Sequence, residues 1–362
     1  MHNFRPLASY RYDTALVGPE KLTTPPASPK IGDLIRDEQL GYYLYQMAFV
    51  DLKGRSRLLE GIFGVLEISN QIPDAKPDHA DGHEAYIPDH ILVHEQTLSS
   101  VTALSQESSD VIIARPGAGP IWAISAQSTL RANEITRGPT LASASDHSGV
   151  VHTVWHITDT AEQERIELAV RNSQLIIADG HHRIARAMKL LSVSPPQSTV
   201  RLLCFVTDLD PLQAEIRPIH RCFKTSLTRS EIMLRLERQF EIEPFPDDDM
   251  ASHLESDALL LLVGEATFKV RPFHSDPKQN DAITSQIIAK VLEARSTQYI
   301  TDARRLRERV LSDPTKVALL TRPVTIKQIR MAAFGKNPLP PKSTMFYPKP
   351  LPGLIFGEKL NL

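Results

Sequence analysis

The feature that most constrains the fold is an apolar run that ends at Asp179-Gly180 and continues directly into a helical pattern. Leu175 to Ala178 are apolar, as expected of a buried strand. Beyond Gly180, apolar residues recur at the spacing of one helix face, namely Ile184, Ala187, Met188 and Leu191. The run from Arg201 to Thr207 then has the pattern of another strand. The sequence therefore predicts a strand, a tight turn, a helix from about His181 and a further strand.

The remaining segments predict an α+β fold, a mixed sheet with flanking helices. Two or three strands are expected between Tyr42 and Ile68, interrupted by a turn at 51–55. Shorter strands are predicted at 91–93, 111–114, 121–124 and 258–263, and helices at 161–170 and 325–333. Thr325 and Gln328 have the spacing of a capping box. Residues 70–89 are predicted to form a loop, and the proline-rich segment 337–354 to contain no regular element.

The length and composition indicate a large globular chain. With 362 residues, there is room for two compact units or for one elaborated domain. The 41% of hydrophobic and 23% of charged residues exclude a wholly disordered or coiled-coil chain. We expect an N-terminal α+β region over 1–228, with its core at about 85–210. A C-terminal α/β region is expected over 229–362, with its proline-rich tail returning to the core.

Charge and cysteine content indicate a cytoplasmic protein. The 41 basic and 43 acidic residues give a net charge of −2, which argues against nucleic acid as a partner. The basic run 304–309 is interpreted as a solvated helix face, with contact to nucleic-acid phosphates as the alternative. Two cysteines are too few for the disulfide framework of a secreted protein. Met1 to Leu7 lack a signal-peptide pattern, and no apolar run is long enough to span a membrane. The oligomeric state is left open.

The turn from Asp179 to Arg183 is the strongest candidate site. Backbone N–H groups at a helix start favour an anion, and Gly180 allows a ligand to approach the backbone closely. His181, His182 and Arg183 add donors and positive charge at the same place. A phosphate-binding loop is therefore predicted, with Asp179 as a candidate Mg²⁺ ligand. The alternative is that Asp179 only caps the helix and the histidines face solvent.

A second candidate is the stretch from His94 to Thr97, which follows a short predicted strand. Glu95 at a strand end is placed to act as a general base or a metal ligand. The alternative is a solvated carboxylate. His90 and His94 are a weaker candidate for a zinc site, since no third ligand lies nearby in sequence.

Further cations lie in the C-terminal half. Lys342, with Ser343 and Thr344, belongs to a tail that either brings the lysine to a phosphate or is anchored by aromatic residues at 346 and 347. His220-Arg221 either contributes a cation to the site or closes the end of a strand.

These motifs, in this order, resemble a bacterial and archaeal family known as domain of unknown function 1015, which is often described as ParB-like or SpoOJ-like. The resemblance covers nearly the whole chain, through Phe4 to Leu7, Tyr42 to Leu66, His94 to Thr97, Ala178 to Arg183, His220-Arg221, Pro341 to Thr344, Phe346 to Lys349 and Gly353-Leu354. Two elements depart from the family. Pro25-Pro26 is followed by Ala27-Ser28 where a tyrosine and an aspartate are usual, and the tail has Pro338-Leu339-Pro340-Pro341 where a methionine is expected.

The central part is also similar to the ParB/sulfiredoxin superfamily and its free-serine kinase branch, which implies a ParB/sulfiredoxin-like core elaborated at both ends. In that branch a glutamate takes the proton of the substrate hydroxyl, and an Asp-Gly-His loop holds nucleotide phosphates and magnesium. The resemblance implies that Glu95 and His181 are catalytic, and that Asp179 binds Mg²⁺. The implied phosphate-binding residues are Asp179, Gly180, His181, His182 and Arg183, and we predict that Lys342, Ser343 and Thr344 join them. We predict that His94, Thr97, His220 and Arg221 bind the substrate.

The leading hypothesis is a nucleotide-dependent phosphotransferase that uses ATP or ADP, with CTP as an alternative, and Mg²⁺. Its second substrate would be a small hydroxyl compound, with serine as the first choice. The second hypothesis is a ParB-like switch that binds a nucleotide without turning over a small molecule. The third is a metal-dependent hydrolase built on His90, His94, Glu95 and the pair His181-His182.

Overall fold

The computed structural model describes residues 2–23, 30–70, 91–93, 119–195, 198–210, 213–246, 258–273, 281–335 and 338–357. The chain divides into two units. The first comprises Met1–Val93, Thr97–Glu215 and Pro348–Leu362, and the second contains Ile216–Tyr347. Each unit has its own mixed or antiparallel sheet with helices packed on it, so the predicted α+β class is confirmed.

The first unit is built on a nine-stranded mixed sheet. Its elements in chain order are β1 (His2–Arg5), β2 (Tyr10–Tyr12), α1 (Pro19–Thr23), β3 (Leu34–Arg36), β4 (Tyr42–Val50), β5 (Ser56–Ser69), β6 (Ile91–Val93), β7 (Ile121–Ser125), β8 (Thr140–Ser145), β9 (Val151–Ile157), α2 (Thr160–Arg171), β10 (Leu175–Asp179), α3 (His181–Val193) and β11 (Thr199–Asp208). The strand order is β6-β10-β7-β11-β5-β4-β9-β8, with β1 beside β5. The pairs β6/β10 and β7/β11 are parallel, and the other pairs in this sheet are antiparallel.

The two faces of this sheet bury different residues. One face carries aliphatic side chains such as Leu44 and Ile177, which belong to the same core cluster as Ile166 of α2 and Ile184 of α3. Residues that alternate with these carry the aromatic rings of Tyr43, Tyr45, Phe63, Trp122 and Phe205, all of them buried. Since successive side chains of a strand point to opposite faces, the aromatic rings form a layer on the side opposite to α2 and α3.

The second unit is built on an antiparallel six-stranded sheet. Its elements, preceded by β12 (Glu215–Arg217) at the boundary between the units, are β13 (His220–Lys224), α4 (Arg229–Leu236), β14 (Phe240–Pro244), β15 (Leu259–Val263), β16 (Ala266–Pro272), α5 (Asp281–Val291), β17 (Ser296–Ile300), α6 (Ala303–Leu311), β18 (Lys316–Leu320), α7 (Ile326–Phe334) and β19 (Met345–Tyr347). The order is β14-β16-β15-β18-β13-β17. One core cluster joins the sheet to α4 and α5, and another joins it to α6.

Most predicted elements are confirmed where the structure describes them. The strand-turn-helix-strand unit is β10, α3 and β11, and the strands between Tyr42 and Ile68 are β4 and β5. Thr325 and Gln328 form the expected capping box at the start of α7. In α6, Arg304 and Arg305 are exposed while Leu306 and Val310 are buried, which confirms the solvated face. The segments 70–89 and 111–114 lie almost entirely or wholly outside the described residues.

The proline-rich tail differs from its prediction. It contains a short strand, β19, which pairs with β12. Met345, Phe346 and Tyr347 are three consecutive residues without proline, so each keeps the backbone N–H that a ladder requires.

Both cysteines lie within the described residues. Cys204 and Cys222 are free and buried, and burial raises the pKa of both thiols. Among the helices described above, none is long and apolar enough to cross a membrane.

The end of the chain is fastened to the first unit through its backbone. The Leu351 N–H donates to the buried hydroxyl of Tyr45 at 2.9 Å. Phe356 N–H donates to the Tyr10 carbonyl at 2.8 Å, and Gly357 N–H donates to the Ser9 hydroxyl at 3.2 Å. These bonds hold residues 348–357 in place against the unit.

Tyr45 connects this fastening to a buried histidine. Its oxygen accepts from Leu351 and lies 3.1 Å from Nδ1 of His152, so the geometry assigns the phenol hydrogen to that nitrogen. Nε2 of His152 then carries the imidazole hydrogen and lies 3.5 Å from Asp146. Burial lowers the pKa of His152 to about 4, against the opposing effect of Asp146. The imidazole is therefore neutral at pH 7.

We predict that this histidine makes stability fall as the pH is lowered from about 6.5 to 4. The unfolded chain protonates His152 near pH 6.5, and the folded chain does so only near pH 4. Protons thus favour unfolding within that window, by up to about 3 kcal/mol. Chemical denaturation of the wild type and of His152→Gln at pH 7, 5.5 and 4.5 measures the effect. The variant should lose less stability over this range, whereas parallel losses in both proteins would contradict the assignment.

Candidate functional site

The predicted turn has a backbone that only glycine adopts easily. Strand β10 ends at Asp179, Gly180 has φ of 92°, and α3 begins at His181. A Cβ atom on Gly180 would lie 2.7 Å from Cδ1 of Ile121 and 3.0 Å from Nη2 of Arg183. Gly180 itself is the N-cap, with no capping side chain. The alternative in which Asp179 caps the helix is therefore wrong, because the carboxylate lies one residue too early and has other partners.

Arg183 is the fixed cation of the turn. Its Nη2 donates to the Pro120 carbonyl at 2.9 Å and lies 3.5 Å from Oδ2 of Asp179. Burial lowers the pKa of the guanidinium, and Asp179 partly offsets that effect. An arginine stays charged under such conditions. The turn thus holds a positive group beside the backbone of Gly180, at the positive end of the α3 dipole.

The two histidines lie in the first turn of α3, where no acidic residue is present. His182 is exposed and His181 is partly buried. Both are therefore in the part of the helix where backbone N–H groups point away from the helix body.

Asp179 is paired with a lysine that the sequence analysis did not select. Nζ of Lys349 lies 2.6 Å from Oδ1 of Asp179, with the lysine side chain 50% exposed and the aspartate 37%. The tail cation expected from the sequence is Lys342. Lys349 stands in the same motif, after Tyr347-Pro348, and the sequence signal did not distinguish the two lysines.

Lys342, Ser343 and Thr344 lie in the second unit, together with His220 and Arg221. Arg221 donates to the Lys342 carbonyl at 2.8 Å and to the Ile219 carbonyl. Nδ1 of His220 accepts from the Thr321 N–H at 3.1 Å. His220 is 3% and Arg221 4% exposed.

These contacts place His220 and Arg221 at the start of β13 and within the interior of the unit. Their predicted part in substrate binding, and that of residues 342–344 in phosphate binding, stay predictions.

The residues proposed as base and zinc ligands, His90, His94, Glu95 and Thr97, lie outside the described residues. The strand between them is described. β6 runs parallel to β10, with Val93 opposite Ile177, two residues before Asp179. Parallel neighbours end at the same edge of a sheet, so the chain leaves β6 at the edge where the Asp179 turn begins.

The turn offers one carboxylate of the kind found in magnesium sites that depend on phosphate. Mg²⁺ in such sites takes one or two carboxylates, with phosphate oxygens and water completing the shell. Asp179 offers a partly exposed carboxylate beside a helix start. No group of three or more histidine, cysteine or acidic residues that could hold a metal occurs in the part of the chain that the structure describes.

We predict that Gly180→Ala destabilises the protein by roughly 2 kcal/mol or more, because it combines a left-handed backbone with close contacts to Ile121 and Arg183. Gly149→Ala is the matched control, since Gly149 has φ of 82° with no atom within 4 Å of the added Cβ. That variant should lose only about 1 kcal/mol. Equal losses in urea denaturation would show that the contacts around Gly180 contribute nothing.

Comparisons with known proteins agree with the family expected from the sequence. Residues 30–300 match the family model described as Protein of unknown function (DUF1015). Among solved structures, the chain is similar to free serine kinase in complex with AMP, at 17% identity and a TM-score of 0.43, covering 75% of this chain and 89% of that chain. A substituted free serine kinase in complex with ADP has 18% identity and a TM-score of 0.37, with 52% and 73% covered.

SbnI with a C-terminal truncation, from Staphylococcus aureus, has 14% identity and a TM-score of 0.37, with 75% of this chain and 82% of that chain covered. No curated protein matches the chain. The family model spans well over half of the residues, from the first strand pair of the main sheet to β17. The chain therefore belongs to the DUF1015 family.

Proposed function

We propose that this protein is a nucleotide-dependent phosphotransferase that binds nucleotide phosphates at the turn from Asp179 to Arg183. The observation that carries the proposal is the junction of β10 and α3, where Gly180 opens a helix whose first turn has no acidic residue. Arg183 is held beside it by Pro120, and Asp179 ends the strand. A polyanion with a bound divalent cation fits this combination of groups better than a neutral ligand does.

The residues of the turn have distinct parts in the proposal. Backbone N–H groups at the start of α3 and the guanidinium of Arg183 donate hydrogen bonds to the phosphate oxygens. The Pro120 contact fixes the guanidinium before ligand arrives, which reduces the entropy lost on binding. His181 and His182 add donors to the transferring phosphoryl group. Asp179 is the residue that would hold Mg²⁺, which would neutralise charge on the phosphate oxygens.

The acceptor is proposed to be a small hydroxyl compound, with serine tested first. The hydroxyl oxygen attacks the terminal phosphorus of the nucleotide, its proton passes to Glu95, and the shortened nucleotide leaves. Support for Glu95 comes from β6, which ends beside β10 at the edge where Asp179 lies. His94 and Thr97 are the proposed contacts of the acceptor, while the parts predicted for His220, Arg221, Lys342, Ser343 and Thr344 of the second unit stay predictions.

Nucleotide binding is expected to appear as thermal stabilisation in the presence of Mg²⁺. A ligand at about 100 times its dissociation constant adds roughly 2.7 kcal/mol, which raises Tm by several degrees. The panel comprises ATP, ADP, CTP, GTP and pyrophosphate. Replacing His181 and Arg183 together by alanine should abolish the shift. Absence of a shift with every ligand would remove both the phosphotransferase and the nucleotide-switch hypotheses.

Glu95→Gln should separate binding from chemistry. The substitution removes the proposed base but keeps the side-chain size, so turnover should fall by about 10²–10⁴-fold while the nucleotide shift persists. Glu164→Gln, an exposed carboxylate on α2, is the control and should keep full activity. The assay is ³¹P NMR of the nucleotide with serine and other small hydroxy acids.

Normal turnover by Glu95→Gln would show that another group takes the proton. Nucleotide binding by the wild type without turnover of any hydroxyl compound would instead favour the ParB-like switch. That alternative predicts a nucleotide-dependent change in association, measurable by light scattering.

A further inference from the structure

The ion pair between Lys349 and Asp179 connects two parts of the first unit that are distant in sequence. Nζ and Oδ1 lie 2.6 Å apart, across a sequence separation of 170 residues. Tail residues on both sides of the lysine are buried, namely Pro348, Pro350 and Leu351. The Leu351 N–H is bonded to Tyr45, and Pro350 restricts the backbone of the lysine before it. The backbone of Lys349 is therefore fixed, while its side chain is free to change rotamer.

The charges at this place do not balance. Asp179 contributes one negative charge, whereas Lys349 and Arg183 each contribute a positive one within 3.5 Å of its oxygens. The start of α3 adds further positive potential. A lysine is normally favourable at the other end of a helix. The arrangement thus has one cation more than its carboxylate can neutralise, at a helix start where an anion is stabilised.

The two cations differ in how firmly they are held. Arg183 is partly buried and donates to the Pro120 carbonyl, so it stays in place when Asp179 changes partner. Lys349 is half exposed. Among the described residues, Asp179 is the only partner given for its side chain. Exposed ion pairs contribute little to stability and are readily exchanged. Lys349 is therefore the cation that can move.

We infer that Lys349 is an exchangeable phosphate ligand, held by Asp179 in the free protein and passed to a phosphate group when a divalent cation takes Asp179. The inference rests on the proposed function and deepens it, because it names the ligand as a polyphosphate with its metal ion. Binding replaces one ion pair by two, carboxylate with metal and ammonium with phosphate. Without the metal ion, Asp179 retains the lysine and repels the phosphate.

The exchange makes metal and phosphate binding depend on each other. A phosphate ligand that binds without the metal ion must break the ion pair between Lys349 and Asp179, which lowers its affinity. The metal ion alone, when it takes Asp179, leaves the ammonium group without a counter-charge. Each ligand should therefore raise the affinity for the other by the same factor. A lysine that served only to fasten the tail would produce no such coupling.

The test is isothermal titration of the full chain at low ionic strength with two probes, ADP and inorganic pyrophosphate, each with and without Mg²⁺. Lys349→Gln should weaken binding of both magnesium complexes about tenfold, the loss expected for one charge-assisted contact. Lys349→Arg keeps the charge and should recover part of the affinity. Lys189→Gln removes an exposed lysine from the far half of α3 and should bind like the wild type.

Asp179→Asn provides the discriminating measurement. It releases Lys349 in the absence of metal, so the affinity for metal-free pyrophosphate should rise several-fold. This gain should largely disappear when Asp179→Asn is combined with Lys349→Gln, and the double-mutant cycle measures the difference. A gain of equal size in both backgrounds would reflect only the loss of a negative charge and would overturn the exchange.

The outcomes separate this inference from the proposal on which it rests. If the wild type binds the probes and Lys349→Gln binds them equally well, the exchange is wrong and the phosphate site stands. If the wild type binds neither probe with Mg²⁺, both fall together. Thermal melts of each variant establish that the compared proteins are folded.

Discussion

The hydrogen bond from the Leu351 N–H to the Tyr45 hydroxyl joins the segment 348–357 to β4 of the largest sheet. A buried phenol must have its hydrogen-bonding capacity satisfied, and here it accepts from the tail and donates to His152. The bond thus fixes the tail two residues from Lys349, and thereby the position of the cation that meets Asp179. If the candidate site uses that lysine, its geometry depends on a contact that lies in the core and not at the site itself.

Strand register explains how the aromatic layer reaches from that contact to the candidate site. The Tyr45 ring packs against Phe63 with centroids 5.1 Å apart, Phe63 is opposite Phe205, Phe205 is opposite Trp122, and Trp122 is opposite Asp179. Neighbouring strands lie about 4.8 Å apart, so this row crosses the sheet in four steps of roughly that length. Phe63 and Phe205 have ring centroids 4.9 Å apart, and those of Phe205 and Trp122 are 5.7 Å apart. The carboxylate is consequently attached to the end of a rigid, close-packed row.

What could be predicted from the sequence was local. The strand before Asp179, the glycine turn and the helix face of Ile184 follow from periodicity and backbone preference, and Thr325 with Gln328 follows from capping geometry. The choice between Lys342 and Lys349 was not local, because both follow a proline in one polar, aromatic segment and only the path of the tail separates them. Likewise, nothing in the sequence indicated that Arg221 is buried, since one of its two acceptors, the Lys342 carbonyl, is far away in the chain. Prediction was weakest where a polar group depends on a distant backbone atom.

The start of α3 differs from the starts of four other helices in a way that bears on the proposed function. Four helices begin with a side chain that accepts from the backbone of the first turn, namely Asp159, Thr228, Asp302 and Thr325. α3 begins with Gly180, which has no capping side chain, and continues with two histidines and an arginine. A missing side-chain cap costs only a few tenths of a kcal/mol when glycine takes its place, and cations near a helix start add about 0.3–1 kcal/mol each. Burial of Ile184, Ala187, Met188 and Leu191 offsets this cost, so the helix forms although its own start opposes it. The first turn of α3 is thus locally unfavourable, whereas four other helices follow the capping rules. This contrast supports the proposal that the turn binds a negatively charged ligand.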